Sequence, residues 1–152
     1  MSALAQRKQA RDLVRLREVR LSAADRALAE ARAATARAEA ARDAADAAVV
    51  EADARSAQEH ADLAADPAEA EARLALLDHA RFKAALCGEA LSDARDAEAQ
   101  CTAAETARRK AMIVARARHD ALADRVAVLA GQAERRREER EQLDAEDVRR
   151  FR

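Results

Sequence analysis

The stretch Ala64-Ala65-Asp66-Pro67-Ala68-Glu69 decides how this chain folds, because it contains the only proline. Asp66 suits the N-cap of a helix, Pro67 its first position and Glu69 its third, where a carboxylate can reach back to the cap amide. Proline also keeps the residue before it out of the helical region. We therefore predict that one helix ends near residue 64, that a turn covers residues 65–66, and that a second helix begins at residue 67.

Upstream of this turn, mostly apolar residues recur every three or four positions. The ladder is Leu21, Ala24, Leu28, Ala31, Thr35, Ala38, Arg42, Ala45, Val49 and Ala52. This spacing is typical of a heptad seam, the stripe along which two helices pack in a coiled coil. Because half of the rungs are alanine, the two backbones can approach closely but little apolar area is buried. We expect a hairpin that is only marginally stable by itself.

A second ladder follows the turn. It comprises Cys87, Leu91, Ala94, Glu98, Cys101, Glu105, Arg108, Met112, Ala115, His119, Leu122, Val126, Leu129 and Ala133. Its ends are mainly apolar and its centre is mainly polar. A drift of the seam toward Ala97, Ala104 and Ala111 can keep the centre apolar, so the ends of this ladder predict the seam more firmly than its centre.

Two long amphipathic helices joined by a short turn pack most simply as an antiparallel pair. The predicted fold class is therefore all-α, a single long antiparallel two-helix coiled-coil hairpin over residues 1–152. Its first arm covers about 4–64 and its second about 67–150. At 1.5 Å per residue, the hairpin would be about 90 Å long.

Two versions of the hairpin remain open. With a single turn at residues 65–66 the arms are unequal, and the chain beyond Gly131 overhangs. With a second break near Gly88, the arms become nearly equal and residues 67–86 form a separate short helix at the tip. A glycine inside a helix costs about 1 kcal/mol relative to alanine. We favour some irregularity at the tip, where the large apolar residues are densest: Leu74, Leu76, Leu77, Phe82 and Leu86.

The composition excludes several classes of protein. Alanine supplies 47 of the 152 residues, whereas Leu, Val, Ile and Phe together supply 25 and Trp and Tyr are missing, so a thick core cannot form. The longest wholly apolar stretch has five residues, against about 20 for a membrane span, and the N-terminus lacks an apolar signal core. We expect a cytoplasmic protein whose Cys87 and Cys101 are small seam residues.

No motif supports catalysis, a cofactor or a metal. The histidines at positions 60, 79 and 119 are 19 and 40 residues apart, and none has a second ligand at metal-binding spacing. We expect a protein that is not an enzyme and has no catalytic, cofactor-binding or metal-binding residues. Nucleic-acid binding through residues 135–137 and the basic N-terminus is less favoured, because those runs lack aromatic partners and glutamates interrupt them. Direct membrane insertion is not expected.

Charge is segregated along the chain. Residues 1–20 carry six basic and two acidic groups, residues 21–106 nine and eighteen, and residues 107–152 thirteen and nine. In an antiparallel hairpin the two basic segments meet at one end, and the tip is acidic. Such an end suits docking into an acidic cavity. The alternative is a set of solvated faces whose charges pair along each helix.

The sequence resembles a known family at both ends. Residues 13–20, LVRLREVR, and residues 26–32, RALAEAR, resemble the start of the FliJ/YscO family. Residues 136–147, RREEREQLDAED, are similar to that family's charged C-terminus. Its members are small helical-hairpin stalk proteins of flagellar and injectisome type III secretion systems.

The resemblance implies a non-enzymatic stalk at the inner-membrane export apparatus. The end with both termini would insert into a hexameric secretion ATPase, and the remainder would contact the export gate protein and, in some members, secretion chaperones. Candidate ATPase-binding residues are Arg7, Lys8, Arg11, Arg15, Arg136 and Arg140. Candidate tip residues for the gate or a chaperone are Leu74, Leu77 and Phe82, with the alternative that they only cap the hairpin. The competing function is a structural scaffold that self-associates into a helical bundle.

Overall fold

A computed structural model of the chain describes residues 3–63 and 69–150, with side chains from Lys8 onward except that of Val148. Two helices account for nearly all of this part: α1 spans Ala3–Asp62 and α2 spans Ala70–Arg150. No strand occurs among these residues. The two helices pack against each other, so the predicted all-α helical hairpin is confirmed.

The end of α1 and the start of α2 are in contact next to the predicted turn. The turn residues themselves, with Asp66 and Pro67, lie outside the described residues. Arg73, in the first turn of α2, donates from Nη1 to the backbone carbonyl of Asp62 at 3.1 Å, and its Nη2 lies 3.1 Å from Oε2 of Glu69. Because the last carbonyls of a helix have no partner within it, Arg73 satisfies one of those of α1.

Contacts divide the chain into two compact units. Unit 1 combines the described residues up to Leu28 with those from Arg108 onward, and unit 2 is Ala29–Ala107. Each unit therefore pairs one segment of α1 with one segment of α2.

Burial along α1 follows the predicted ladder. All ten rungs from Leu21 to Ala52 are buried or half-buried, and Leu28 and Thr35 are the most enclosed, at 4% and 7% exposed. The hydroxyl of Thr35 donates to the carbonyl of Ala31 at 3.1 Å, so its burial leaves no donor unsatisfied. The heptad prediction for α1 is confirmed.

Burial along α2 confirms the ladder and corrects one expectation. Twelve of the fourteen rungs from Cys87 to Ala133 are buried or half-buried, and Arg108 and Leu129 are exposed. The same step of three and four continues upstream through Ala84, Ala80, Leu77 and Arg73. The drift does not occur, because the alanines at 97, 104 and 111 are exposed while the glutamates at 98 and 105 remain in the seam.

Opposite charges across unit 2 explain why glutamates stay in the seam. Ion pairs bridge the two helices there, among them Arg42–Glu98 at 3.0 Å, Arg32–Glu105 at 3.8 Å and Arg95–Asp46 at 3.6 Å. A partly buried charge is tolerated where an opposite charge on the facing helix offsets its desolvation. The hydrogen bond to Glu98, followed by the nearby charge of Asp43, raises the pKa of Arg42 above its ordinary value.

The second break near Gly88 is not found. Helix α2 runs without interruption through Gly88 and Gly131, so residues 70–86 belong to α2 and do not form a separate helix at the tip. A Cβ at either glycine would meet nothing within 4 Å. Each glycine therefore costs the helix only its intrinsic propensity, about 1 kcal/mol, which the hydrogen-bonded turns on both sides outweigh.

The two helices are consequently unequal, with 60 residues in α1 and 81 in α2. In unit 1, every described side chain from Glu134 to Arg150 is exposed. The single-turn version predicts this exposure, because the end of α2 continues past the start of α1 and has no facing helix to pack against.

The first prediction concerns Leu77, which is 2% exposed. We expect Leu77→Ala to lower the free energy of unfolding by about 2–3 kcal/mol, because it removes buried apolar atoms and leaves a cavity. Leu76→Ala is the matched control, since Leu76 is 53% exposed and its loss should change stability by less than about 0.5 kcal/mol. Urea unfolding followed by circular dichroism measures both; equal effects would contradict the assigned seam.

The second prediction concerns the Arg42–Glu98 pair. In a double-mutant cycle with Arg42→Gln and Glu98→Gln, we expect the double variant to be less destabilised than the sum of the single variants. Since the pKa of Arg42 is raised, the cation's contribution is complete below its ordinary pKa and lost only in strong alkali, so the coupling should persist from neutral to mildly alkaline pH. Arg137 and Glu141, exposed at 81% and 62%, give the control cycle, in which little coupling is expected. Urea midpoints report both cycles, and additive effects at 42 and 98 would contradict this account.

Candidate partner-binding surfaces

The first candidate surface is the basic segment at the start of α1. Lys8, Arg11 and Arg15 are exposed, and their spacing of three and four residues places them on one face of the helix. The residue Arg11, with Ala10, lines a small crevice beside residues 126–130 of α2 in unit 1. Arg7 lies in α1, but its side chain is outside the described part.

The second part of the basic surface lies near the end of α2. Arg136 and Arg140 are exposed and one helical turn apart, and neither forms an ion pair with a described residue. Arg137 differs, because its Nε lies 2.8 Å from Oε1 of Glu141, a hydrogen bond that raises the pKa of Arg137. The alternative, in which charges pair with one another along the same helix, therefore applies to Arg137 but not to Arg136 and Arg140.

Both basic segments belong to unit 1. The structure therefore brings the segment around Lys8–Arg15 and the segment around Arg136–Arg140 into one compact unit. Lys8, Arg11 and Arg15 on α1, and Arg136 and Arg140 on α2, are therefore two basic surfaces of the same unit.

The predicted tip surface needs one correction. Leu77 is 2% exposed and lies in the seam, so it stabilises the hairpin and is not available to a partner. Leu74 and Phe82 are 50% and 61% exposed. The apolar pattern alone predicted all three together, because it does not show which side of α2 faces α1.

The tip also exposes a residue that the sequence prediction did not include. Leu86, 47% exposed, lies four residues after Phe82 and twelve residues after Leu74. The steps of eight and four residues place these three exposed side chains within about 120° of the circumference of α2, outside the seam. We call Leu74, Phe82 and Leu86 the outer tip face; the step from Phe82 to Leu86 is the signal that could have revealed it.

A groove lies on another side of the hairpin in unit 2. Leu76, His79, Lys83 and Cys87 line it from α2, and residues 48–59 of α1 form the opposite wall. Cys87 and Cys101 are free thiols on half-buried rungs of the seam, the positions predicted for small seam residues.

Two further properties bear on chemistry. The described residues contain no group of three or more His, Cys, Asp or Glu side chains placed to hold a metal ion. Within the same ranges, neither helix has a stretch both long and apolar enough to cross a membrane.

Comparison with known proteins adds no relative. No protein-family model matches the chain, and no curated protein or solved structure matches it either.

Proposed function

We propose that this protein is a non-enzymatic stalk component of a type III secretion export apparatus. In this proposal the basic surface of unit 1 inserts into a hexameric secretion ATPase, and another part of the hairpin contacts the export gate protein or a secretion chaperone. The protein acts in the cytoplasm, beside the inner-membrane export apparatus.

One observation carries the proposal most strongly. The basic residues Lys8, Arg11, Arg15, Arg136 and Arg140 are exposed in a single unit and form no ion pair with a described residue. Cations that the chain itself leaves unneutralised favour an acidic partner, which gains their attraction without first breaking internal pairs.

The exposed C-terminal part of α2 supports the same assignment. From Glu134 onward its described side chains are exposed on every face, and Leu143 is its one large apolar residue in the described part, at 61% exposed. A lone helix gains little from packing against its own chain. Enclosure by a surrounding ring would supply contacts that the hairpin does not.

The outer tip face is the proposed site for the gate or chaperone. Leu74, Phe82 and Leu86 are each about half exposed, on a side of α2 that contributes nothing to the seam. Large exposed apolar side chains that share one helical face are a common form of partner-binding surface.

The third prediction tests the ATPase assignment. We expect the reversal of four charges, Lys8→Glu, Arg11→Glu, Arg15→Glu and Arg140→Glu, to weaken binding to the purified secretion ATPase of the same organism about tenfold or more. The wild-type affinity should also fall as salt rises, whereas that of the variant should change less. Titration calorimetry or surface plasmon resonance measures both.

The matched control reverses four exposed charges of unit 2: Arg37→Glu, Arg55→Glu, Arg81→Glu and Lys83→Glu. It gives the same net charge as the test variant, so equal losses of affinity would show only a general charge effect. Unchanged affinity in the test variant would reject the assignment of these residues.

A second candidate function is a structural scaffold that self-associates. The outer tip face favours it, because a second copy could cover the same apolar side chains. The fourth prediction separates the two: analytical ultracentrifugation of the pure protein should give a monomer near 16.5 kDa for the stalk. A stable dimer or tetramer that Phe82→Ser dissociates would support the scaffold instead.

A further inference from the structure

A groove in unit 1 lies outside the surfaces described so far. Arg17 and Arg20 line it from α1, and Lys110, Val114 and Arg118 line it from α2, with Ala111 and Ala115 at its base. Its volume is about 380 Å³. All of these residues belong to unit 1.

The charge of this groove is of one sign. Four of its lining residues are basic, and the described lining includes no acidic side chain. None of the four forms an ion pair with a described residue. Like charges held together repel one another, so an anionic group that enters the groove gains attraction from several cations at once.

The groove also has an apolar component. Val114 is 45% exposed between Lys110 and Arg118, each one helical turn away. On α1, Leu13 and Leu16 precede Arg17 and Arg20 with the spacing of a single helical face, and they are 44% and 47% exposed. The groove therefore has one large apolar side chain between two cations, and Leu13 and Leu16, which are not part of its lining, add to this apolar strip on the α1 face that carries Arg17 and Arg20.

We propose that this groove binds an acidic amphipathic helix of a partner protein. Its apolar side chains would contact Val114 and the face of Leu13 and Leu16, and its flanking carboxylates would pair with Arg17, Arg20, Lys110 and Arg118. Charge complementarity selects this occupant, and the apolar strip selects a helix with one apolar face over a simple polyanion.

A nucleic acid fits the groove less well. Phe82 and Phe151 are the only Phe, Tyr or Trp residues in the sequence, and the described side chains of unit 1 include none of these three types for a base to stack on. The proposal does not depend on the ATPase assignment, since the groove and the proposed ring-binding residues share no member.

The fifth prediction uses a defined probe and the full chain. The probe is a fluorescent model peptide of about three heptads, with leucine at the a and d positions and glutamate beside them. We expect it to bind the wild-type protein, and a peptide with glutamine in place of every glutamate to bind about tenfold more weakly. Fluorescence anisotropy at low and physiological salt measures both affinities.

Two matched pairs of variants locate the binding site. The triple variant Arg20→Gln, Lys110→Gln and Arg118→Gln should bind the acidic peptide about tenfold more weakly, whereas Arg37→Gln, Arg81→Gln and Arg149→Gln, which removes three exposed charges elsewhere, should bind it like the wild type. Val114→Asp should weaken binding, and Ile113→Asp should not, because Ile113 is 57% exposed but does not line the groove. Circular dichroism confirms that all variants remain helical.

Several outcomes would overturn the proposal. Equal losses in the test and control variants would place the peptide elsewhere. Tighter binding of a single-stranded oligonucleotide than of the acidic peptide, lost in the triple variant, would assign the groove to nucleic acid. Self-association that the triple variant abolishes, with no binding of the peptide, would assign it to the acidic segment of a second copy. Each of these results is distinguishable from a failure of the ATPase assignment, because none of the measurements includes the ATPase.

Discussion

The structure depends on a seam in which alanine is the commonest residue. Because alanine side chains are short, the two helices can lie close together, but each rung removes little apolar area from water. The described hydrophobic core consists of Leu28, Leu77, Ala80 and Leu91. A few leucines therefore contribute much of the apolar stabilisation, and the remaining rungs mainly keep the helices in contact. Stability in such a hairpin is sensitive to single positions in the seam and insensitive to most others.

The same close approach determines where charges can lie. Across a narrow seam, a charged rung lies close to the facing helix and requires an opposite charge there, whereas an uncharged rung such as Thr35 can bond to its own helix. Arg42 and Glu98 meet this requirement, with side chains 35% and 26% exposed. Such a pair adds little net stability, but it penalises a shifted alignment of the helices, which would leave both charges partly buried without a partner. In unit 2 the charged rungs thus specify the register that alanines alone would leave poorly defined.

Sequence reasoning predicted the helices and the seam because both follow from periodicity within one helix. Every rung from Leu21 to Ala52 is at least half-buried, as the spacing required. It failed where the answer depends on the facing helix. Judged from α2 alone, Glu98 is unsuitable for a seam, but Arg42 on α1 lies opposite it. Likewise, the sequence placed Leu77 on a tip surface, whereas in the structure it is buried in the seam. The break near Gly88, one of the two versions left open by the sequence, is absent for another reason: the hydrogen-bonded helical turns on both sides outweigh the local cost of a glycine. The basic groove was missed because its two walls are more than eighty residues apart in the chain.

The separation of the seam from the exposed surfaces has a functional consequence. The basic residues of unit 1, the charged residues of its groove and the outer tip face are not rungs of the two ladders, so a partner can contact any of them without opening the hairpin. A partner that binds only the folded hairpin raises its stability by mass action. In the proposed stalk, contacts with the partner would supply stabilisation that the thin core does not. The exposed surfaces can also be altered with little effect on folding, which is why charge reversals and apolar substitutions there measure binding directly.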